Sequence, residues 1–93
     1  MRRIERTSQF KRDYKREKRG KHQADLEGNL LQFISWLVAD ARLPNRARDH
    51  ALSGEWKDFR DCHIRPDLVL IYRKPDNATL QLVRLGSHSE LGL

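Results

Sequence analysis

Four side chains in the second half of the chain could together move protons on and off a reacting phosphodiester: His50, His63, Asp67 and His88. Histidine titrates near neutral pH and serves as acid or base. A carboxylate can take a proton or accept a hydrogen bond from a ring nitrogen. Arg60 and Arg84, close by in sequence, can grip phosphoryl oxygens through paired N–H bonds. The set suits cleavage of RNA, which carries its own nucleophile in the 2′-hydroxyl. One group removes that proton, another protonates the departing 5′-oxygen, and a cation steadies the phosphate. The scheme calls for no metal and no organic cofactor. Three histidines and an acid could instead ligate a metal, but the separations of 13, 4 and 21 residues match no metal-ligand spacing. A glycine-rich phosphate loop and a Gly-x-Ser-x-Gly elbow are both lacking. Plainer uses stand beside each of these residues. Any one histidine can be structural, and Asp67 after Pro66 is a turn former. Cys62 suits a buried apolar position, and Trp56 and Phe59 suit a sheet core better than base stacking.

These residues fall at the ends of the elements the sequence predicts. Residues 2–7 read as a short strand with Ile4 its one strong apolar residue. Thr7 or Ser8 caps a helix reaching about Arg19, with Phe10 and Tyr14 on its buried side and Gly20 as its stop. A second helix, from about Gln23 to Asp40, carries Leu26, Leu30, Phe33, Ile34 and Leu37 on one face. Asp25 and Glu27 fall in its first turn. Ala41–Glu55 reads as a loop, long for so small a domain, and such loops are often functional. Three strands follow: Trp56–Ile64, Leu68–Tyr72 and Thr79–Leu85. The middle one is apolar throughout, as a strand covered on both faces should be. Lys74-Pro75-Asp76-Asn77 is a turn, and Ser87–Leu93 is a tail. The expected fold is α+β, in the order β-α-α-β-β-β, with a helical hairpin on a mostly antiparallel sheet. The first of the three strands conflicts with simple alternation. Phe59, Asp61 and His63 share one face, Trp56, Arg60, Cys62 and Ile64 the other, and neither face is cleanly apolar. A bulge would resolve this, and bulges are common beside active sites.

The 93 residues suffice for one domain, 1–93, with a limited core. The net charge is +6, and it is concentrated at one end. Residues 1–21 hold ten Lys or Arg against three acids, a local +7, which leaves −1 for the rest. Such a field attracts polyanions, nucleic acid above all, although a solvated helix face would show the same charge. The segment has too little apolar surface to enter a membrane. No run is long and apolar enough to span one, and Met1–Arg6 does not read as a signal peptide. A single cysteine allows no internal disulfide, so a cytoplasmic location is expected.

Residues 49–72 carry a further signal. They follow the pattern D-H-x-L-x-G-x-W-x-x-aromatic-R-D-x-H-x-x-P-D, then an apolar strand ending in Tyr72. Arg84-Leu85-Gly86-Ser87-His88 follows R-x-G-[ST]-H. The chain thereby resembles the YafQ branch of the RelE-like mRNA interferases. The resemblance implies the RelE/ParE fold and an endoribonuclease that cuts mRNA in the ribosomal A site and stops translation without a cofactor. It implies a DinJ-like ribbon-helix-helix antitoxin as partner, a monomeric free toxin and a heterotetramer with antitoxin. Carried onto this chain, the catalytic positions are His50, His63, Asp67 and His88. His88 would be the general acid, with Asp67 or His50 as base and His63 orienting the phosphate or sharing its proton traffic. Arg60 and Arg84 would hold the phosphate. Lys11, Lys15, Arg16, Lys18, Arg19 and Lys21 would grip ribosomal RNA. Two positions depart from the family pattern: Leu68 stands where Trp is common, and Gly92 where Phe is common. Both bear on codon preference. A ParE-like gyrase inhibitor on the same fold is the rival reading, and a set of four acid/base groups speaks against it.

Overall fold

The apolar spacing of the second helix is realised as α2 (Leu26–Val38), which buries Leu26, Leu30, Phe33, Ile34 and Leu37. The computed structural model describes residues 1–20 and 23–93, so Lys21 and His22 lie outside the described residues. α2 is shorter than expected at both ends. Asp25 is its N-cap residue but makes no side-chain cap bond, and its carboxylate accepts from Arg65 at 3.2 Å. At the other end Asp40 adopts a left-handed backbone (φ 55°) and the helix stops. The first helix, α1 (Ser8–Lys18), begins as expected: Thr7 Oγ1 accepts from the Phe10 amide at 3.0 Å. Phe10 is buried, Tyr14 packs beside it, and so, unexpectedly for a helix otherwise so charged, is Asp13.

The sheet has five strands rather than four. They are β1 (Arg3–Arg6), β2 (His50–Ala51), β3 (Arg60–Arg65), β4 (Leu68–Arg73) and β5 (Thr79–Gly86), in spatial order β1-β5-β4-β3-β2. β1 pairs with β5 in parallel, and every other pair is antiparallel. The additional strand, β2, lies inside the expected loop and pairs His50 with Asp61. Trp56 is not in a strand. It ends a 3-10 turn at Gly54–Trp56, and β3 begins only at Arg60. The expected tail contains a one-turn helix, α3 (His88–Leu91).

α1 and α2 cover one face of the sheet. There Cys62, Leu70, Tyr72, Leu80, Leu82 and Leu85 join the inward residues of α1 and α2 in the main core. On the other face Val69, Ile71 and Leu91 form a smaller cluster with Leu52, Trp56, Phe59 and Val83. β4 is therefore covered on both sides, as its unbroken apolar run requires. The conflict in β3 is resolved by a bulge. His63 pairs with Val69 and Arg65 with Leu68, and Ile64 is the extra residue between them. Asp61 and His63 keep to the face of Ile71 and Val69, whereas Ile64 joins the helix side, where Arg65 reaches Asp25.

β1 covers β5 only as far as the pair Arg6↔Leu82. Beyond that point side chains of α1 and its cap satisfy the edge of β5. Thr7 Oγ1 donates to Val83 O at 2.8 Å, Asp13 Oδ2 accepts from Leu85 N at 3.0 Å, and Arg16 Nη2 donates to Leu85 O at 2.8 Å. An exposed edge is a liability, and these contacts close it with polar groups rather than a longer strand.

Candidate active site

On the face away from α1 and α2 lies an open cavity of about 520 Å³, whose wall includes His50, Leu52, Trp56, Asp61, His88 and Gly92. Two of the four expected catalytic residues, His50 and His88, share this wall. A third joins them through a ring contact: His63 and His88 meet edge to face, with centroids 4.9 Å apart. Asp67 sits in the turn between β3 and β4, outside the cavity wall.

Each of these side chains is placed by a local feature. Arg48 takes a left-handed conformation (φ 48°), which turns the chain into β2 and brings its own carbonyl to His50. Nδ1 of His50 lies 2.7 Å from Arg48 O. A carbonyl only accepts, so Nδ1 carries the hydrogen and Nε2 of the neutral ring is left as a proton acceptor. Asp49, the preceding residue, binds Arg60 (3.2 Å to Nη2) and accepts from the Tyr72 hydroxyl, which pins the start of β2 to β3 and β4. His88 is the first residue of α3. Its orientation follows from a reciprocal cap: Glu90 N donates to Ser87 Oγ at 3.2 Å, and Ser87 N donates to Glu90 Oε1 at 2.9 Å. Gly92 closes α3 in the left-handed region (φ 72°), where glycine is favoured, and opens this side of the cavity. Leu68, the other departure from the family pattern, is buried in the main core rather than at the cavity.

Asp61 was not singled out by the sequence, and it is the buried carboxylate of the cavity wall. It is 2 % exposed, and its Oδ1 lies 3.0 Å from His50 Nδ1 while making no hydrogen bond, because that ring N–H is aimed at Arg48 O. Burial pushes its carboxyl pKa up, against the opposing pull of His50, His63 and His88. The signal available in sequence was its period-two spacing with His63. His63 itself is half-buried, and that burial lowers its pKa below the ordinary value, with Asp61 opposing and His88 adding to the fall. Cys62 points to the opposite face, and burial raises its thiol pKa well above the usual range, so it is no nucleophile.

The two expected phosphate-binding arginines are each held by a carboxylate. Arg60 pairs with Asp49, and Arg84 with Asp13 at 2.7 and 3.2 Å. The expected RNA-gripping residues divide. Lys11, Lys15 and Lys18 rim a second groove of about 530 Å³ floored by Phe10, Tyr14, Leu30 and Leu31, and Arg19 is the exposed cap of α1. Arg16, though exposed, is already engaged by Asp13, Glu17, Glu90 and Leu85 O. Lys21 lies outside the described residues.

Residues 2–92 match the family described as bacterial toxin of type II toxin-antitoxin system, YafQ. The mRNA interferase toxin YafQ of Escherichia coli K12 is 38% identical over 91 residues, spanning 95% of this chain and 92% of that one. Among solved structures, YafQ from E. coli strain BL21(DE3) superposes with a TM-score of 0.80 at 32% identity over 98% of both chains. The toxin in the E. coli DinJ-YafQ complex gives 0.79 at 32% identity, again over 98% of both.

Proposed function

Because the chain belongs to the YafQ family of toxins of bacterial type II toxin–antitoxin systems, we propose that it is an mRNA interferase, a ribosome-dependent endoribonuclease that halts translation by cutting mRNA in the A site. The observation that carries this reading is the grouping of His50, Asp61 and His88 around one open cavity with His63 against His88.

In the proposed reaction the 2′-hydroxyl attacks the adjacent phosphate and the 5′-oxygen departs. The lone pair on His50 Nε2 takes the 2′ proton, a role that Asp67 at the β3–β4 turn can share. His88 protonates the leaving oxygen. Two imidazoles 4.9 Å apart do not readily hold two protons, and burial favours the neutral form of His63. His63 is therefore suited to be the neutral neighbour of the donor His88. Asp61 balances charge on the histidines from beneath. Arg84 faces the growing charge on the phosphoryl oxygens, with Arg60 as the second cation. These proton transfers need no metal. Lys11, Lys15, Lys18 and Arg19 form the surface that meets ribosomal RNA. The partner is a DinJ-like antitoxin with a ribbon-helix-helix end, in a heterotetramer, and the site of action is the cytoplasm. The E. coli complex of DinJ with YafQ supports the antitoxin assignment. Gyrase inhibition is set aside, since the E. coli relative is named an mRNA interferase and acid/base groups serve no purpose in an inhibitor.

The test adds purified protein to translating 70S ribosomes carrying a defined mRNA, beside naked mRNA and a His88→Ala variant, with fragment ends mapped by primer extension. A-site cuts that need the ribosome and fall at least about a hundredfold in His88→Ala are expected. Intact mRNA with a protein that still arrests growth would overturn the reading.

A further inference from the structure

Asp13 is a buried carboxylate that the proposed reaction does not use. It lies on a helix whose other polar residues face water, and it is 1 % exposed. Both of its oxygens are fully engaged. Oδ2 accepts from Arg84 Nε at 2.7 Å and from Leu85 N at 3.0 Å, and Oδ1 accepts from Arg84 Nη2 at 3.2 Å and from Arg16 Nη1 at 3.1 Å. A carboxylate has about four acceptor positions, so this one has no rotational freedom left. The bond from Leu85 N matters most, because it fixes the carboxylate against the backbone of β5 itself.

Arg84 emerges opposite Ile71, on the face that carries the cavity, because Val83 is the extra residue in a second irregularity of the sheet. Its side chain then turns around the uncovered edge of β5 to meet Asp13 on α1. We propose that Asp13 is a positioning residue for the cleavage step: it fixes the plane of the Arg84 guanidinium so that the remaining N–H donors are presented to the phosphate. Two of the five donors are spent on Asp13, and the side chain stays 20% exposed, so donors remain for a ligand. A fork held in advance loses little freedom when the transition state forms, and small misplacements of such a group are costly in rate. The same network reaches His88. Arg16 links Asp13 to Glu90 at 3.2 Å, and Glu90 caps the helix that begins with His88. Gly86 makes this possible, since a Cβ there would stand 2.7 Å from Arg16 Nη2.

The inference rests on Arg84 acting on the phosphate in the proposed reaction, and a double-mutant cycle separates the two claims. Single-turnover cleavage on programmed ribosomes is measured for wild type, Asp13→Asn, Arg84→Ala and the double variant, across toxin concentration, with thermal midpoints alongside. Asp13→Asn is expected to lower the maximal rate by about ten- to a hundredfold, with the half-saturating concentration changed less than about twofold. In the Arg84→Ala background the same substitution should cost less than about twofold more, because its effect runs through that arginine. Equal losses in both backgrounds, or a loss confined to the half-saturating concentration, would show a merely structural or binding role and overturn the proposal. Full activity of Arg84→Ala would overturn it by removing its premise, while wild-type cleavage in the same assay leaves the interferase reading standing. If Asp13→Asn does not fold, the cycle is run with Asp13→Glu, which keeps the charge and displaces it by one methylene; non-additivity with Arg84→Ala is again the expected result.

Discussion

His63 shows how a residue's surroundings, rather than its type, select its task. Burial favours its neutral form, and the carboxylate of Asp61 opposes this. Its midpoint in an NMR titration is therefore expected below the ordinary value of about 6.5, and Asp61→Asn should move it lower still, since the group that raises it is then gone. An upward move on Asp61→Asn would mean that the carboxylate does not act on His63 as the distances imply. His50, His63, Asp67 and His88 could all be picked from residue type and from the resemblance. Asp61 could not, because its weight comes from 2 % exposure and from β2–β3 pairing, and two paired strands meet across ten intervening residues. Arg16 could not be separated from its basic neighbours either. Its spacing marks it as another surface cation, and only the approach of β5 and α3 shows that it is tied to Leu85 O and Glu90.

At the scale of elements the sheet depends on side chains that stand in for missing strand. α1 seals the edge of β5, and a second clamp holds the N-terminal end: Asp40, after α2, receives Arg2 at 2.8 Å and Lys74 at 2.6 Å. The hydrogen bond from Lys74, and after it that from Arg2, lowers the Asp40 pKa to about 2. A carboxyl depressed in the folded state contributes stability above its unfolded value of about 3.9, and loses it as pH falls through the folded value. Asp40→Asn is therefore expected to lower the thermal midpoint slightly at pH 7, as befits an exposed pair, and to flatten its fall between about pH 4 and pH 2, where variant and wild type converge. An unchanged acid slope would show that the clamp does not contribute to stability. The helix and strand cores were legible because Leu26, Leu30, Phe33, Ile34 and Leu37 and the run Leu68–Tyr72 obey simple periods. β2 was not, since two residues carry no period, and α3 was not, since its one turn exists by virtue of the Ser87–Glu90 cap.

For the molecule as a whole, Lys11, Lys15 and Lys18 lie on the side of α1 and α2, while the cavity lies on the opposite face of the sheet. On the proposed reading, gripping and cutting are thus separable. Replacing Lys11, Lys15 and Lys18 with Glu should weaken ribosome association by at least about tenfold and reduce its salt dependence, with cleavage at saturating toxin preserved. Sedimentation with ribosomes at several salt concentrations measures both, and an unaltered salt slope would place the RNA contact elsewhere. By itself the sequence determined the α+β class, the two helices, the central strand, the polarity of charge and the family to which the chain belongs. All of these follow from local period, composition or a motif that is contiguous in the chain. The tertiary structure alone decided which histidines meet, that Asp61 lies among them, that Arg60 and Arg84 are held by carboxylates, and that Asp13 is buried with Arg16 bonded to it. Those facts depend on register, on two bulges and on a strand edge left short by β1. Each is settled by how distant segments pack, and no window along the chain contains it.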